Sequence, residues 1–414
     1  MQLASSTGHT EPTVAAVGGA ARNPMTRDLR LDFFRGLALI FIFIDHVPGN
    51  SLTYATLHAF GLSDAAEVFV LIAGYAAFLA YSGPIEREGF KAGSLRIMRR
   101  IRQLYAAHLI LVALGACLFA VAARAFENPL YFEDVNVLPL GHDPLGAIWR
   151  LLVLYYQPGY LNILPLYILL LAWLPVFLWL LKRNQAVAVT ISVAIWIAAG
   201  TYSINLPSWP EVIGWYFNPF AWQLLFSIGA FASFRASRGG KLPRSRVLAA
   251  TALAYLGLGF LVAAPWINLP YLELPRIVPT DILGYYSKSN LSAWRLAHVL
   301  ALAYVVALWL PASANWLQSR LANWVINCGR NGLDIFCLAT LLSFTGLIVL
   351  LEAGRSWEIQ LAVNAVGVGG MLWAAALLTS WKARRPALAK SNRLSARPSA
   401  GGATTAGPGA GSVG

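Results

Sequence analysis

Apolar residues are gathered into ten runs separated by short polar stretches, at about 31–48, 64–82, 103–124, 162–181, 186–203, 219–234, 247–265, 296–311, 332–351 and 359–381. Each run approaches the length a helix needs to cross the hydrocarbon core of a bilayer, and none shows the strict alternation of a half-buried strand. The pattern predicts an all-α polytopic integral membrane protein, a bundle of about ten transmembrane helices. An additional stretch from Asp143 to Tyr156, DPLGAIWRLLVLYY, has a polar start and only a short apolar run. It reads as an interfacial or re-entrant helix, not an eleventh span. Outside the runs, residues 1–27 and 386–414 are rich in Ala, Gly, Ser and Thr and are expected to be disordered cytoplasmic tails flanking a membrane domain at 28–385. The first tail lacks the compact apolar core of a cleavable signal peptide. No internal repeat is evident.

Charge then sets an orientation. The 414-residue chain is 58% hydrophobic and 12% charged, with a net charge of +13. Its Lys and Arg residues cluster in alternate connections: Arg22, Arg27 and Arg30; Arg87 to Arg102; Lys182 and Arg183; Arg235 to Arg246; Arg320 and Arg330; and Lys382 to Arg393. The intervening connections are poor in Lys and Arg or mixed, with Glu127, Glu133, Asp134, Asp143, Glu211, Glu273 and Asp281 beside Arg276 and Lys288. Positive charge favours the cytoplasmic side, so an even number of spans with both termini cytoplasmic fits throughout. The same separation of basic clusters by aromatic-rich apolar runs excludes nucleic acid as the partner. Two of the non-basic connections, 125–161 and 266–295, are long and rich in Pro, Tyr and Trp, suited to cover an outer mouth. Cys117, Cys328 and Cys337 lie in or beside apolar runs without metal-ligand spacing, so they read as packing residues and no metal site is expected.

The first run departs from plain hydrophobicity. It carries Asp32, Arg35, Asp45 and His46, and ionisable groups inside a spanning helix mark function by default because lipid burial disfavours them. At about 100° per residue Arg35 and His46 share one face, roughly 16 Å apart along the axis, while Asp45 points to another neighbour. In the second run Asp64 and Glu67 lie at i and i+3, at the same end of the bundle as Asp45 and His46. An imidazole with carboxylates within reach can serve as a general base, the carboxylate fixing its tautomer. His46 is thus the candidate base, and Asp45 or Glu67 the candidate orienter. Each also has a structural reading: His46 as a hydrogen-bonded bundle residue, Asp45 or Glu67 as partner of an arginine, Asp64 as a helix cap, and Arg35 as counter-ion of Asp32. Gly74 and Tyr75 lie deeper on the second run, where glycine permits close helix approach or contact with a ligand. Asn218, Trp222 and Gln223 could hydrogen-bond a sugar or close a helix interface. Arg295 and His298 open the eighth run, and Arg330 lies just before the ninth.

The segment RDLRLDFFRGLALIFIFIDHVPGN followed by LSDAAEVFVLIAGYAAFLAY resembles the opening of the OpgC-type proteins, membrane succinyltransferases that modify periplasmic glucans in proteobacteria. The resemblance continues through NPFAWQLLFSIGA, the Arg295 to His298 region and CGRNGLDIFCLATLLS. The spacing of Arg35 and His46 is also similar to the Arg/Lys-x10-His signature of a wider family of membrane acyltransferases that modify cell-surface polysaccharides. Where the familial pattern has Ser, this chain has Ala73, which leaves the histidine untouched. The resemblance implies transfer of an acyl group from acyl-CoA, specifically succinyl from succinyl-CoA, to hydroxyls of a periplasmic glucan, in the bacterial inner membrane and with no bound cofactor. His46 would take the hydroxyl proton, Asp45 or Glu67 would orient it, and Arg35, Arg96, Arg99, Arg100 and Arg330 would hold phosphates or a carboxylate, which guanidinium recognises in a bidentate way. A homo-oligomer is compatible with this reading. The competing class is a transporter or flippase of an anionic or lipid-linked glycan, since ionisable groups near the midplane also mark transport paths.

Overall fold

A computed structural model describes residues 28–128, 131–268, 275–279 and 287–395. The described chain forms α1 (Leu29–Asp45), α2 (Ala65–Glu88), α3 (Phe90–Ala125), the short α4 (Tyr131–Asp134), α5 (Leu138–His142) and α6 (Pro144–Leu152), then α7 (Ile163–Arg183) and α8 (Gln185–Thr201). It continues through α9 (Pro219–Ser237), α10 (Arg246–Ala263), α11 (Ala293–Trp309), α12 (Arg320–Arg330), α13 (Gly332–Glu352) and α14 (Trp357–Ser395). All ten apolar runs fall on helices, and the segment expected to be interfacial is α6, whose first turn is capped by Asp143. Ala147 and Leu151 of α6 are buried, whereas Leu145 and Trp149 are exposed.

Length and apolarity are sufficient for membrane crossing in six of the described helices: α2, α3, α7, the helical stretch Arg246–Ile267 that contains α10, α13 and α14. These criteria support six of the roughly ten expected spans among the described residues. The helices α8 and α11 are apolar but shorter, and α1 and α9 join neither set. Both of the latter place polar side chains in the interior, among them Asp32 on α1 and Gln223, Ser227 and Ser233 on α9, all buried. Three further expectations change. The basic stretch before residue 103 is already helical from Phe90, because Lys and Arg favour helix well and the Arg96–Glu88 pair at 2.6 Å ties its start to the preceding helix. Residues 320–330 form the amphipathic α12, which a scan for long apolar runs does not detect. Finally, α14 runs on to Ser395, past the expected start of a tail at 386. The expected N-terminal tail and the last residues from 396 onward lie outside the described residues.

Contacts between distant residues show that the basic connections share one end of the bundle. Lys182 lies 4.0 Å from Glu86, and Arg30 donates to the Leu310 carbonyl at 2.6 Å. Tyr304 donates to the Pro243 carbonyl at 2.8 Å, and Lys382 pairs with Asp334 at 2.9 Å. We call this the basic end. At the opposite end Asn50 and Asn364 exchange amide hydrogen bonds of 2.9 and 3.1 Å, which fix the exit of α1 against the first turns of α14.

The helix α1 is central and packs against α2, α12, α13 and α14, while α2 also meets α9, α3, α7 and α11. Two crossings are made through glycine. Gly36 and Gly329 each face the other helix's backbone, at the Val325 and Asp32 carbonyls, and Gly74 and Gly229 do the same at the Phe226 and Leu71 carbonyls. A side chain at any of the four would collide with main chain, so the close approach anticipated for Gly74 is to α9. The main core cluster includes Leu39, Phe43, Leu104, Phe119, Leu171, Trp222, Phe226 and Phe344, and a small separate one joins Leu62 to Val262.

Candidate active site

Two cavities lie toward opposite ends of the bundle. The first, of about 220 Å³, is walled by residues of α1, α2, α3, α7, α12 and α13. Arg35, Arg100 and Arg330 line it together with Tyr81, Tyr167 and apolar residues such as Leu104 and Phe336. Along α2 its lining runs from Phe69 to Tyr81, a rise of about 18 Å. No Asp or Glu lines it. Asp32, just behind, lies 3.8 Å from Arg35 and 3.7 Å from Arg330, so the counter-ion reading of Arg35 and its place on a cavity wall hold together. Arg35 also reaches the Gly329 carbonyl at 3.5 Å. The second cavity, of about 330 Å³, opens among the connections at the other end and is lined by amides, serines, Trp209, Trp215 and Tyr216.

His46 caps the end of α1 that faces away from the basic end. Its Nδ1 is buried and has no hydrogen-bond partner among the described residues. Its ring meets that of Tyr160 edge-on, with centroids 5.1 Å apart. The stretch that begins at Tyr160 connects the cavities: Asn162 lines the second, and Ile163 and Leu164 line the first.

The expected carboxylate partners are otherwise engaged. Asp45 accepts hydrogen bonds from Thr53 at 2.8 Å and Thr56 at 2.6 Å, with His58 at 3.7 Å. Glu67 is fully buried, accepts from Arg295 Nε at 2.6 Å and takes the backbone N–H of Asp64 at 3.0 Å. Asp64 accepts from the Ala66 backbone N–H at 2.8 Å, completing a capping box with Glu67, and pairs with Arg295 at 3.0 Å and Lys288 at 2.6 Å. The helix-cap reading of Asp64 and the arginine-partner reading of Glu67 thus describe the observed contacts. No carboxylate hydrogen-bonds His46 among the described residues.

Two acids and two bases make this cluster neutral as a unit, which suits its burial. For Lys288, burial opposes the charge, but Asp64 and Glu67 outweigh it and hold the ammonium above its ordinary pKa. Burial would likewise raise Asp64, yet Lys288 and Arg295 hold its carboxyl well below the usual range. Both stay ionised at neutral pH. The cluster makes no direct hydrogen bond or ion pair with the His46 imidazole among the described residues.

A model of the family described as OpgC protein matches residues 27–384. The chain belongs to the OpgC family. Neither a curated protein nor a solved structure gives a significant match. Membership in the OpgC family, on a chain with six helices long and apolar enough to cross a membrane, describes a membrane protein with a transferase role in glucan modification.

Several other sequence candidates serve the OpgC fold itself. Asn218 caps α9 through the Phe220 N–H at 3.0 Å and donates to the Ile204 carbonyl at 2.7 Å and Asn290 at 2.8 Å. Trp222 donates to the carbonyls of Lys288 at 3.2 Å and Ser289 at 3.1 Å. Gln223 accepts from Ser192 at 2.6 Å and donates to the Ser192 carbonyl at 2.8 Å. These three close helix interfaces, the second of their two sequence readings. His298 bonds Ser63 at 2.7 Å and packs against Gly61 and Gly259, joining α11 to the neighbouring elements. Tyr75 lies toward Asp28 and Arg30, apart from both cavities.

Tyr160 and Lys288 were not singled out by the sequence. For Tyr160 no signal separates it from the other tyrosines of its connection. Lys288 did carry one: with Arg276 it is one of the few basic residues in a connection placed among the non-basic ones, where a local carboxylate partner is expected.

Proposed function

We propose that this OpgC-family protein transfers an acyl group from acyl-CoA to a hydroxyl of a glucan on the far side of the membrane, with succinyl-CoA as the donor. The observation that carries the reading is His46, whose buried Nδ1 has no hydrogen-bond partner among the described residues and whose ring packs on Tyr160, just before Asn162 of the polar cavity and Ile163 of the arginine-lined one. In this account the CoA phosphates are held by Arg35, Arg100 and Arg330. The pantetheine arm follows the apolar wall toward Ile163 and Leu164. Such an arm is of the order of the cavity's length, about 18 Å along α2.

The glucan hydroxyl gives its proton to His46 as its oxygen attacks the thioester carbonyl. A C–O bond forms, the C–S bond breaks, and the proton passes from the imidazolium to the departing thiolate to yield free CoA and acylated glucan. Asp64 and Lys288 set the field around the imidazole, while Glu67 and Arg295 hold those two in place. The setting is the bacterial inner membrane, with about ten helices crossing, the basic end and both termini cytoplasmic, and the second cavity periplasmic. Concentration of Lys and Arg connections at one end supports this orientation.

The test is glucan-dependent thiol release from succinyl-CoA by the purified chain, compared with His46→Ala. A drop of about 10²- to 10⁴-fold in turnover with unchanged insertion is expected for loss of a general base. Full turnover in the variant, or no thiol release by the wild type, removes the reading.

A further inference from the structure

The second cavity differs from the first in what its walls lack. Among the described residues no Lys or Arg lines it, although the chain carries a net charge of +13, and the one carboxylate on the described wall is Glu211. The cations nearest its rings, Lys288 at 6.0 Å from the Tyr216 centroid and Arg150 over Trp209, are paired with Asp64 and Asp143, so the wall offers phosphate or carboxylate ligands no unpaired lining cation. Its volume of about 330 Å³ lies in the range of small-molecule sites, about 300–1,000 Å³.

Its polar groups are only partly used by the fold. Asn162 precedes α7 but does not cap it, and no hydrogen bond engages its amide among the described residues. The main-chain carbonyl of Asn136 accepts from Tyr156 at 2.6 Å, leaving its side-chain amide at the wall. Gln157 donates to the Leu154 carbonyl at 3.2 Å, which leaves its amide oxygen to accept. Beside these groups Tyr216 is 48% exposed, and its ring stands edge-on to Phe217, 4.9 Å between centroids. Trp209 lies on the same wall, its ring fixed against Arg150 at 4.4 Å and Tyr156 at 5.6 Å. Free amides with donors and acceptors, next to the exposed ring of Tyr216, match a ligand that has hydroxyls around its edge and C–H groups on its faces. That ligand is a neutral sugar.

We propose that this cavity is the acceptor subsite and binds a neutral stretch of glycan, with Asn136, Gln157 and Asn162 reading hydroxyls and Tyr216 stacking on a sugar face. The proposal rests on the acyl-transfer reading for its role, though not for its ligand chemistry. A hydroxyl of a sugar bound beside Asn162 lies near His46, since Tyr160, two residues before, packs on that imidazole. Glu211 at the wall disfavours a glycan unit that already carries an anionic acyl group, so the subsite accepts unmodified stretches in preference to modified ones.

The experiment uses the full chain in detergent micelles and measures binding of neutral gluco-oligosaccharides of the laminari- and cello-series, with carboxymethylated counterparts as controls. Neutral sugars should bind and charged ones bind more weakly. Asn162→Ala and Tyr216→Ala should each weaken binding, and raise the KM for glucan, by about tenfold, the loss of one hydrogen bond or stacked ring. Tyr216→Phe should retain the stacking and behave nearly as wild type. Because Asn162 makes no cap and Tyr216 is half-exposed, neither change should unfold the chain. Unchanged glycan affinity in both alanine variants, or a preference for the carboxymethylated sugars, overturns the subsite. If the variants lose glycan binding while the wild type transfers no acyl group, the subsite stands and the transfer reading falls.

Discussion

The two cavities sit in one helical bundle and are lined by opposite chemistries. At the basic end three arginines face a mostly apolar wall with no carboxylate in it, an arrangement suited to a long ligand with anionic groups at one end. At the other end amides, serines and aromatic rings surround a space with no cation on its wall among the described residues. On the acyl-transfer reading proposed above, that difference would let one chain receive two substrates of unlike charge without mixing them. The two linings share no residue and come nearest along the chain at Asn162, which lines the second, and Ile163 and Leu164, which line the first, with Tyr160 just before them packed on His46.

That separation depends on the buried cluster that holds the 287–291 connection against α2. Lys288 and Arg295 are anchored to Asp64 and Glu67, and the neighbouring Ser289 and Asn290 line the second cavity. Arg295→Leu leaves Glu67 as an uncompensated buried carboxylate. A loss of about 3–5 kcal/mol in stability is expected for breaking such a pair. Thermal unfolding of the micelle-embedded chain measures it, and the paired change Glu67→Leu with Arg295→Leu should recover a substantial part. Equal stability of wild type and Arg295→Leu would show that the cluster does not hold this end together.

A smaller and more selective effect is expected at the basic end. Arg100 donates to Gln103 at 3.3 Å and is not tied to a carboxylate by a salt bridge, so Arg100→Gln should disturb the fold little. The KM for acyl-CoA should rise about tenfold, the worth of one charge-assisted hydrogen bond, while the KM for glucan stays the same. A rise in the glucan KM instead would collapse the distinction between the two cavities.

Much of this architecture is legible in the sequence, because apolar runs of membrane length and alternating basic connections are direct consequences of lipid and membrane charge. The position of His46 at the far end of α1 also follows from the order and direction of the runs, whereas of the five arginines grouped by sequence only Arg35, Arg100 and Arg330 line the cavity, Arg96 pairing instead with Glu88. Partner choice does not follow. Helical period says that Glu67 and Asp64 share a face, but which neighbour that face meets depends on how α11 crosses α2, and there Arg295 takes both carboxylates. In the same way Asn218 and Gln223 look like free hydrogen-bonding groups until α8 and the 287–291 connection are seen to use them. The amphipathic α12 is hidden for a different reason: only one side of it is buried, so its mean hydropathy is low although Ile326 and Cys328 are fully enclosed.

Sidedness in sealed vesicles of known orientation tests the central claim most directly. CoA carries several phosphate charges whose passage through hydrocarbon is prohibitive, so the account requires CoA to stay at the basic end and the glucan at the other. With succinyl-CoA supplied only on the face that carries the basic connections and glucan only on the opposite face, the account predicts acylated glucan, with free CoA appearing on the donor side. Product formed only when both substrates share one compartment would contradict it.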